Sequence, residues 1–131
     1  LVNPGFGVNT KWAYQELART RTAVTPLSLG QRELDRQSRV SWAQLIAAGE
    51  NDFEAPVFAA HEKLREIKRS LQAHGAEIAL LSGSGATVFG VFADEARARV
   101  AQARFASENG MNVFVVPTCS GPLSWREERP R

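Results

Sequence analysis

Residues 82–87 read Ser-Gly-Ser-Gly-Ala-Thr, inside the longer stretch "ALLSGSGATVFGVF" from Ala79 to Phe92. Glycines at 83 and 85 permit backbone conformations that other residues avoid, and they let a ligand approach the main chain closely. Amides curled in succession at such a loop form an anion-binding nest. Ser82, Ser84 and Thr87 add hydroxyl donors. The chemistry on offer is therefore the holding of a phosphate or another small anion, although a simple turn fits the same residues. It is not the nucleotide P-loop pattern, because no Gly-Lys-Ser/Thr ending follows and Lys68 is the nearest lysine. It is not the dinucleotide fingerprint either. The remaining reactive side chains form no cluster. His61 and His74 lack metal-ligand spacing and read as residues at helix surfaces or ends, so no metal site is expected. Cys119 stands alone, with no sign of an activated thiol.

The loop needs elements to hold it. Apolar and aromatic runs on either side predict two strands, and the loop between Leu81 and Val88 is longer than a two-residue hairpin. Upstream, "NDFEAPVFAAHEKLREIKRSLQAHG" reads as one or two helices. Leu64, Ile67 and Leu71 form its core-facing stripe, Pro56 lies near a first turn, and Gly75 ends it. Asn51 and Glu54 have the spacing of a helix cap. Ser41 and Gln44 have capping-box spacing ahead of "WAQLIAAG", with Gly49 as the stop. Near the start, Thr10 or Asn9 can cap a helix through "KWAYQELAR", whose Ala13, Tyr14, Leu17 and Ala18 recur on one face. Asp94 is the expected cap of a helix running to Gly110, and "MNVFVVP" is a short strand ending at Pro117. Residues 20–39 show no clear period and read as a connection with one exposed helical turn, or as a mobile loop. Trp12, Trp42 and Trp125 read as packing or tail residues. Residues 1–117 are expected to form one domain and 118–131 a polar tail. Strands separated by helices, with one direct strand–loop–strand pair, predict an α+β fold: a mainly antiparallel, ferredoxin-like sheet covered by helices.

Composition narrows the class. The 131 residues are 44% apolar and 23% charged, ordinary for a globular domain. Sixteen basic and 14 acidic residues give a net charge of +2, mostly interspersed, which argues against a nucleic-acid surface. Arg97, Arg99 and Arg104 read as a solvated helix face. No run approaches the roughly 20 apolar residues of a membrane span, and no signal-peptide layout is visible. One cysteine and no Cys/His cluster fit a reducing, cytoplasmic location. The chain opens on Leu1 and its one methionine is Met111, so it reads as a piece of something longer.

"LLSGSGATVFGVF" resembles the third conserved motif of the GHMP kinase superfamily, found in the C-terminal domain of those small-molecule kinases. Taken in order, "NPGFGVNTKWAY", "NDFE" and "SGSGATVFGVF" resemble the branch formed by the 4-diphosphocytidyl-2-C-methyl-D-erythritol kinases of the non-mevalonate isoprenoid route. The resemblance runs from Leu1 to about Pro117. It implies transfer of the ATP γ-phosphoryl group to the 2-hydroxyl of the methylerythritol unit, with ATP and Mg2+ serving the full-length parent. It also implies that a separate N-terminal domain carries the ATP-phosphate loop and the catalytic lysine and aspartate. No stretch like "GLGGGSADAA" occurs here, so no catalytic residue is placed in this chain, and no tightly bound cofactor is expected of it alone.

Two roles transfer by resemblance. Gly83, Ser84, Gly85 and Ala86 match the loop that lies beside the phosphate loop and closes the cleft. Tyr14 matches the aromatic position that stacks on cytosine, with Thr10 at the adjoining hydroxyl position. Core packing remains the alternative for Tyr14, and helix capping for Thr10, Asn51 and Asp52. The implied partners are the diphosphocytidyl-methylerythritol substrate, ATP and the missing N-terminal domain, with no nucleic acid and no membrane; self-association of the bare domain is a further expectation. Two other readings stay open: a non-enzymatic ferredoxin-like ligand-binding or interaction domain, and another GHMP kinase such as homoserine kinase.

Overall fold

The computed structural model describes residues 1–23 and 26–118. Cys119, Trp125 and all of the expected tail except Thr118 lie outside the described residues. Along the chain, β1 (Val2–Asn3), α1 (Thr10–Thr20), α2 (Leu29–Arg36), α3 (Trp42–Ala48), α4 (Glu54–Ala60) and α5 (Glu62–Ala73) lead into β2 (Ile78–Leu81) and β3 (Val88–Val91). Then α6 (Glu95–Ala106) and β4 (Asn112–Val113) follow. The sheet has the order β2-β3-β1-β4, and every neighbouring pair is antiparallel. That is the ferredoxin-like arrangement, so the α+β expectation holds.

Alternation builds the core. Ala79, Leu81 and Val88 are buried on one sheet face together with Val2 of β1. Helix α5 lies on β2 and β3 and brings the Leu64, Ile67 and Leu71 stripe onto that face, all three fully or nearly fully buried. Each such side chain contributes about 1.5–3 kcal/mol when removed from water. Ala101 and Phe105 of α6, Val57 and Phe58 of α4, and Ala13 of α1 complete the core. Helices α2 and α3 bury no residue fully. Among the described residues, no helix is long and apolar enough to cross a membrane.

Four local features depart from the sequence pattern. Residues 29–36 form a helix rather than a single turn or a loop. Ser28 accepts from the Gln31 amide while the Gln31 side chain accepts from the Ser28 amide, a full capping box. Two end donors satisfied reciprocally mark the start of a helix even in a polar segment. Second, α6 stops at Ala106, with Ser107 as its C-cap. Gly110 instead takes φ +83 in the turn that follows. Third, Val2 and Asn3 form strand β1, which the local pattern does not announce, because Val2 pairs with both β3 and β4 and Asn3 with β4. Fourth, β4 is shorter than "MNVFVVP" and ends at Val113. The "NDFE…" stretch resolves into two helices that meet at His61.

Candidate functional site

The six-residue loop between β2 and β3 is closed by its own backbone. The Ser82 amide donates to the Thr87 carbonyl at 2.8 Å, and the Gly85 amide to the Ser82 carbonyl at 3.0 Å. Gly83 and Gly85 both take positive φ, +55 and +96. At Gly85 the need is also spatial: an added Cβ would stand 3.3 Å from both Leu81 Cδ1 and Val8 Cγ2. The absence of that Cβ lets the loop press against the segment that leads into α1. Ala86 is buried beneath the loop, while Ser82 and Gly83 are exposed. Among the described residues, the Gly83, Ser84 and Ala86 amides find no intramolecular acceptor. Amide groups left open at an exposed loop are what an anion needs.

Helix α1 starts beside this loop. Asn9 is its cap, accepting from the Trp12 amide at 2.9 Å, so Thr10 is not the capping residue. A helix has a single cap position, and Asn9 fills it with extended backbone geometry. The Thr10 hydroxyl is thereby released to meet the Ser84 hydroxyl at 3.1 Å. One turn on, Tyr14 is 60% exposed, which contradicts core packing. Its ring meets Phe53 edge-on with centroids 4.8 Å apart. That contact holds the ring while most of it stays open to solvent. Trp12 packs partly against the core and edge-on to His61, which also stacks on Phe6.

The "NDFE" segment does more than begin a helix. The Asn51 amide group donates to the carbonyls of Leu81, at 2.7 Å, and Gly83, at 2.8 Å. Its Oδ1 accepts from the Phe53 amide at 3.0 Å, and α4 has no side-chain cap. Glu54 accepts from the Leu81 amide at 2.9 Å and pairs with Lys68 at 2.5 Å. The helix-capping account of Asn51 is therefore replaced: its donors grip the end of β2 and the start of the glycine loop. Asp52 pairs with Arg21. Spacing alone does not separate a capping asparagine from one bonded to a strand thirty residues onward, so sequence reasoning missed this link. On the other side, Asn3 donates to the Thr87 hydroxyl at 3.1 Å.

Of the sequence-predicted site residues, Thr10 and Ser84 are brought into contact, Gly83, Gly85 and Ala86 form the loop around them, and Tyr14 lies on the same helix as Thr10. The described residues gather no group of three carboxylate, histidine or cysteine side chains that could hold a metal. An apolar cleft of about 500 Å³ lies elsewhere, between α6 and residues 113–118. It contains none of the predicted site residues.

Comparison with known proteins places this geometry in context. The family model for the C-terminal region of GHMP kinases (GHMP kinases C terminal) matches residues 31–110. The chain is 40% identical over 95 residues to the 4-diphosphocytidyl-2-C-methyl-D-erythritol kinase of Solibacter usitatus, covering 72% of this chain and 30% of that protein. It is 38% identical over 118 residues to the kinase of the same name from Syntrophotalea carbinolica, covering 88% and 39%. A crystal structure of 4-(cytidine 5'-diphospho)-2C-methyl-D-erythritol kinase superposes with a TM-score of 0.56 at 25% identity, over 81% of this chain and 38% of that one. The matched region thus spans 30 to 39% of the length of these two curated relatives.

Proposed function

As the chain belongs to the GHMP kinase C-terminal family, we propose that it is the substrate-side, cleft-closing part of an ATP-dependent kinase acting on the 2-hydroxyl of 4-diphosphocytidyl-2-C-methyl-D-erythritol. The observation that carries this reading is the contact between Thr10 and Ser84. It sets the start of the helix bearing an exposed aromatic ring beside a loop with open amides, so that one ligand with a planar base and phosphates can address both.

In this reading Tyr14 stacks on the cytosine ring, and Thr10 offers a hydroxyl beside it. An aromatic face binds a planar base at modest ordering cost. The amides of Gly83 and Ser84 support phosphate oxygens or brace the neighbouring phosphate loop, and Gly85 and Ala86 shape the wall. Phosphoryl transfer depends chiefly on positioning and on neutralising charge on the phosphoryl oxygens. ATP supplies the phosphoryl group. The open amides suit an anion, and Mg2+ accompanies the nucleotide in the full-length parent, as its kinase family implies. The domain spans residues 1–117, with 118–131 as a polar tail, and works in the cytoplasm. Alone it has no phosphotransferase activity, because the catalytic groups come from the N-terminal domain.

The test is a binding titration of the 131-residue chain with cytidine diphosphate and with homoserine. Saturable binding of the cytidine nucleotide, lost in Tyr14→Ala, supports the reading. Binding of homoserine alone would replace the substrate, and binding of neither would favour a non-enzymatic domain. ATP-dependent phosphorylation by the isolated chain would overturn its assignment as the non-catalytic part.

A further inference from the structure

We infer that Asn51 is a positioning residue for the glycine loop, one that fixes which way the Gly83–Ser84 peptide faces. The inference rests on the proposed role of that loop in meeting phosphate. A side-chain amide has two N–H donors, and both of those on Asn51 are spent on main-chain carbonyls that flank Ser82, at Leu81 and Gly83. A trans peptide holds its carbonyl and its N–H on opposite sides. Gripping the Gly83 carbonyl therefore turns the Ser84 N–H away from Asn51, and that amide has no intramolecular acceptor among the described residues. Gly83 itself needs such a restraint. An added Cβ there would meet nothing within 4 Å, so no neighbour crowds that side of a residue whose backbone is the freest of all.

The rest of the segment makes Asn51 a fixed point. Its Oδ1 accepts from the Phe53 amide, and Phe53 carries the edge contact to Tyr14. Glu54, held by Lys68, takes the Leu81 amide. Residues 51–54 thus join the loop that faces the phosphate to the ring that faces the base. Asn51 touches no reacting atom in this account; it acts through the loop.

The test uses the 15N,13C-labelled 131-residue chain, with inorganic pyrophosphate as the probe, comparing wild type with Asn51→Asp and Asn51→Leu. Asp retains the acceptor for the Phe53 amide but has no donors for the carbonyls; Leu removes both without adding charge. In the wild type the Gly83 and Ser84 amide resonances should move saturably with pyrophosphate. In both variants affinity should fall at least tenfold. The Leu81 and Gly83 carbonyl resonances should lose their hydrogen-bonded shift, while the resonances of Leu64, Ile67 and Val88 stay in place. Unchanged affinity in Asn51→Leu, or unchanged carbonyl resonances in either variant, would overturn the inference. So would loss of binding accompanied by wholesale movement of the core resonances, which would mark a merely structural role. If the wild type ignores pyrophosphate while the carbonyl resonances respond to substitution, the clamp stands and the phosphate-facing reading fails.

Discussion

The hydroxyls of Thr10 and Ser84 lie 3.1 Å apart, bridging 74 residues of sequence. This bond joins the first turn of α1 to the glycine loop and is made possible by the residue before it. Because Asn9 takes the cap, Thr10 has no local duty. Asn9→Ala should therefore cost about 1 kcal/mol, and Thr10→Val less than that, since its hydroxyl pair is exposed. Urea denaturation of the two variants checks the order; a larger loss for Thr10→Val would return the cap to Thr10.

Tyr14 should be separable from stability. Its ring is exposed apart from the edge contact with Phe53, a geometry worth about 0.5–1.5 kcal/mol. Tyr14→Ala should cost no more than that, yet abolish measurable binding of cytidine diphosphate. Tyr14→Phe should keep both. Calorimetric titration beside thermal melting reads the two effects independently.

The two loop glycines should differ. Gly85→Ala adds strain at φ +96 and crowds Leu81 and Val8, and a loss of about 2–3 kcal/mol is expected. Gly83→Ala meets open space at φ +55, so only the left-handed penalty of about 1 kcal/mol applies. Equal losses in denaturant melts would show that the loop does not press against Val8 in solution.

Lys68 and Glu54 form a largely shielded pair at 2.5 Å, and the carboxylate also holds the Leu81 amide. Lys68→Met leaves that carboxylate without its cation. Removing one partner of a fully buried pair costs about 3–5 kcal/mol, so about 2 kcal/mol is expected at this partly open site. Glu54→Gln, which can still accept from Leu81, should cost less. The denaturant midpoint should fall with an unchanged slope.

Acid should weaken a second ion pair. Lys63 donates to Glu108 at 2.7 Å, and Arg104 donates to the other carboxylate oxygen at 2.8 Å. The bond from Lys63 holds the Glu108 carboxyl below the usual range, although desolvation opposes it. A lowered folded pKa stabilises the protein above the unfolded value, and the contribution fades as pH falls through the folded one. The advantage of wild type over Glu108→Gln should thus be present at pH 6 and shrink below about pH 4. Solvent exposure limits it to less than about 1 kcal/mol. Lys63 is raised by the same bond, so its share is full at neutral pH and is lost only in strong alkali. Thermal melts across pH give the comparison, and a gap that does not vary with pH would sink it.

Local pattern carried much of the fold. The Leu64, Ile67 and Leu71 stripe, the Ser41–Gln44 box and the alternation around the glycine loop each depend on neighbours within a few residues, so their periods are written in the chain. The Ser28–Gln31 box was equally local, but its charged surroundings concealed it. Strand β1 was not legible, because two residues become a strand only when β3 and β4 flank them.

The sequence by itself determined that an exposed glycine loop, an aromatic helix and an "NDFE" segment occur in that order, with the family they resemble. Tertiary structure alone decided what each polar group holds: Asn51 the loop carbonyls, Glu54 the Leu81 amide, Thr10 the Ser84 hydroxyl. The reason is physical. A hydrophobic period reports burial from its own residues, whereas a side-chain amide or hydroxyl bonds whichever partner the fold brings within about 3 Å, and that partner stands 27 to 74 residues away.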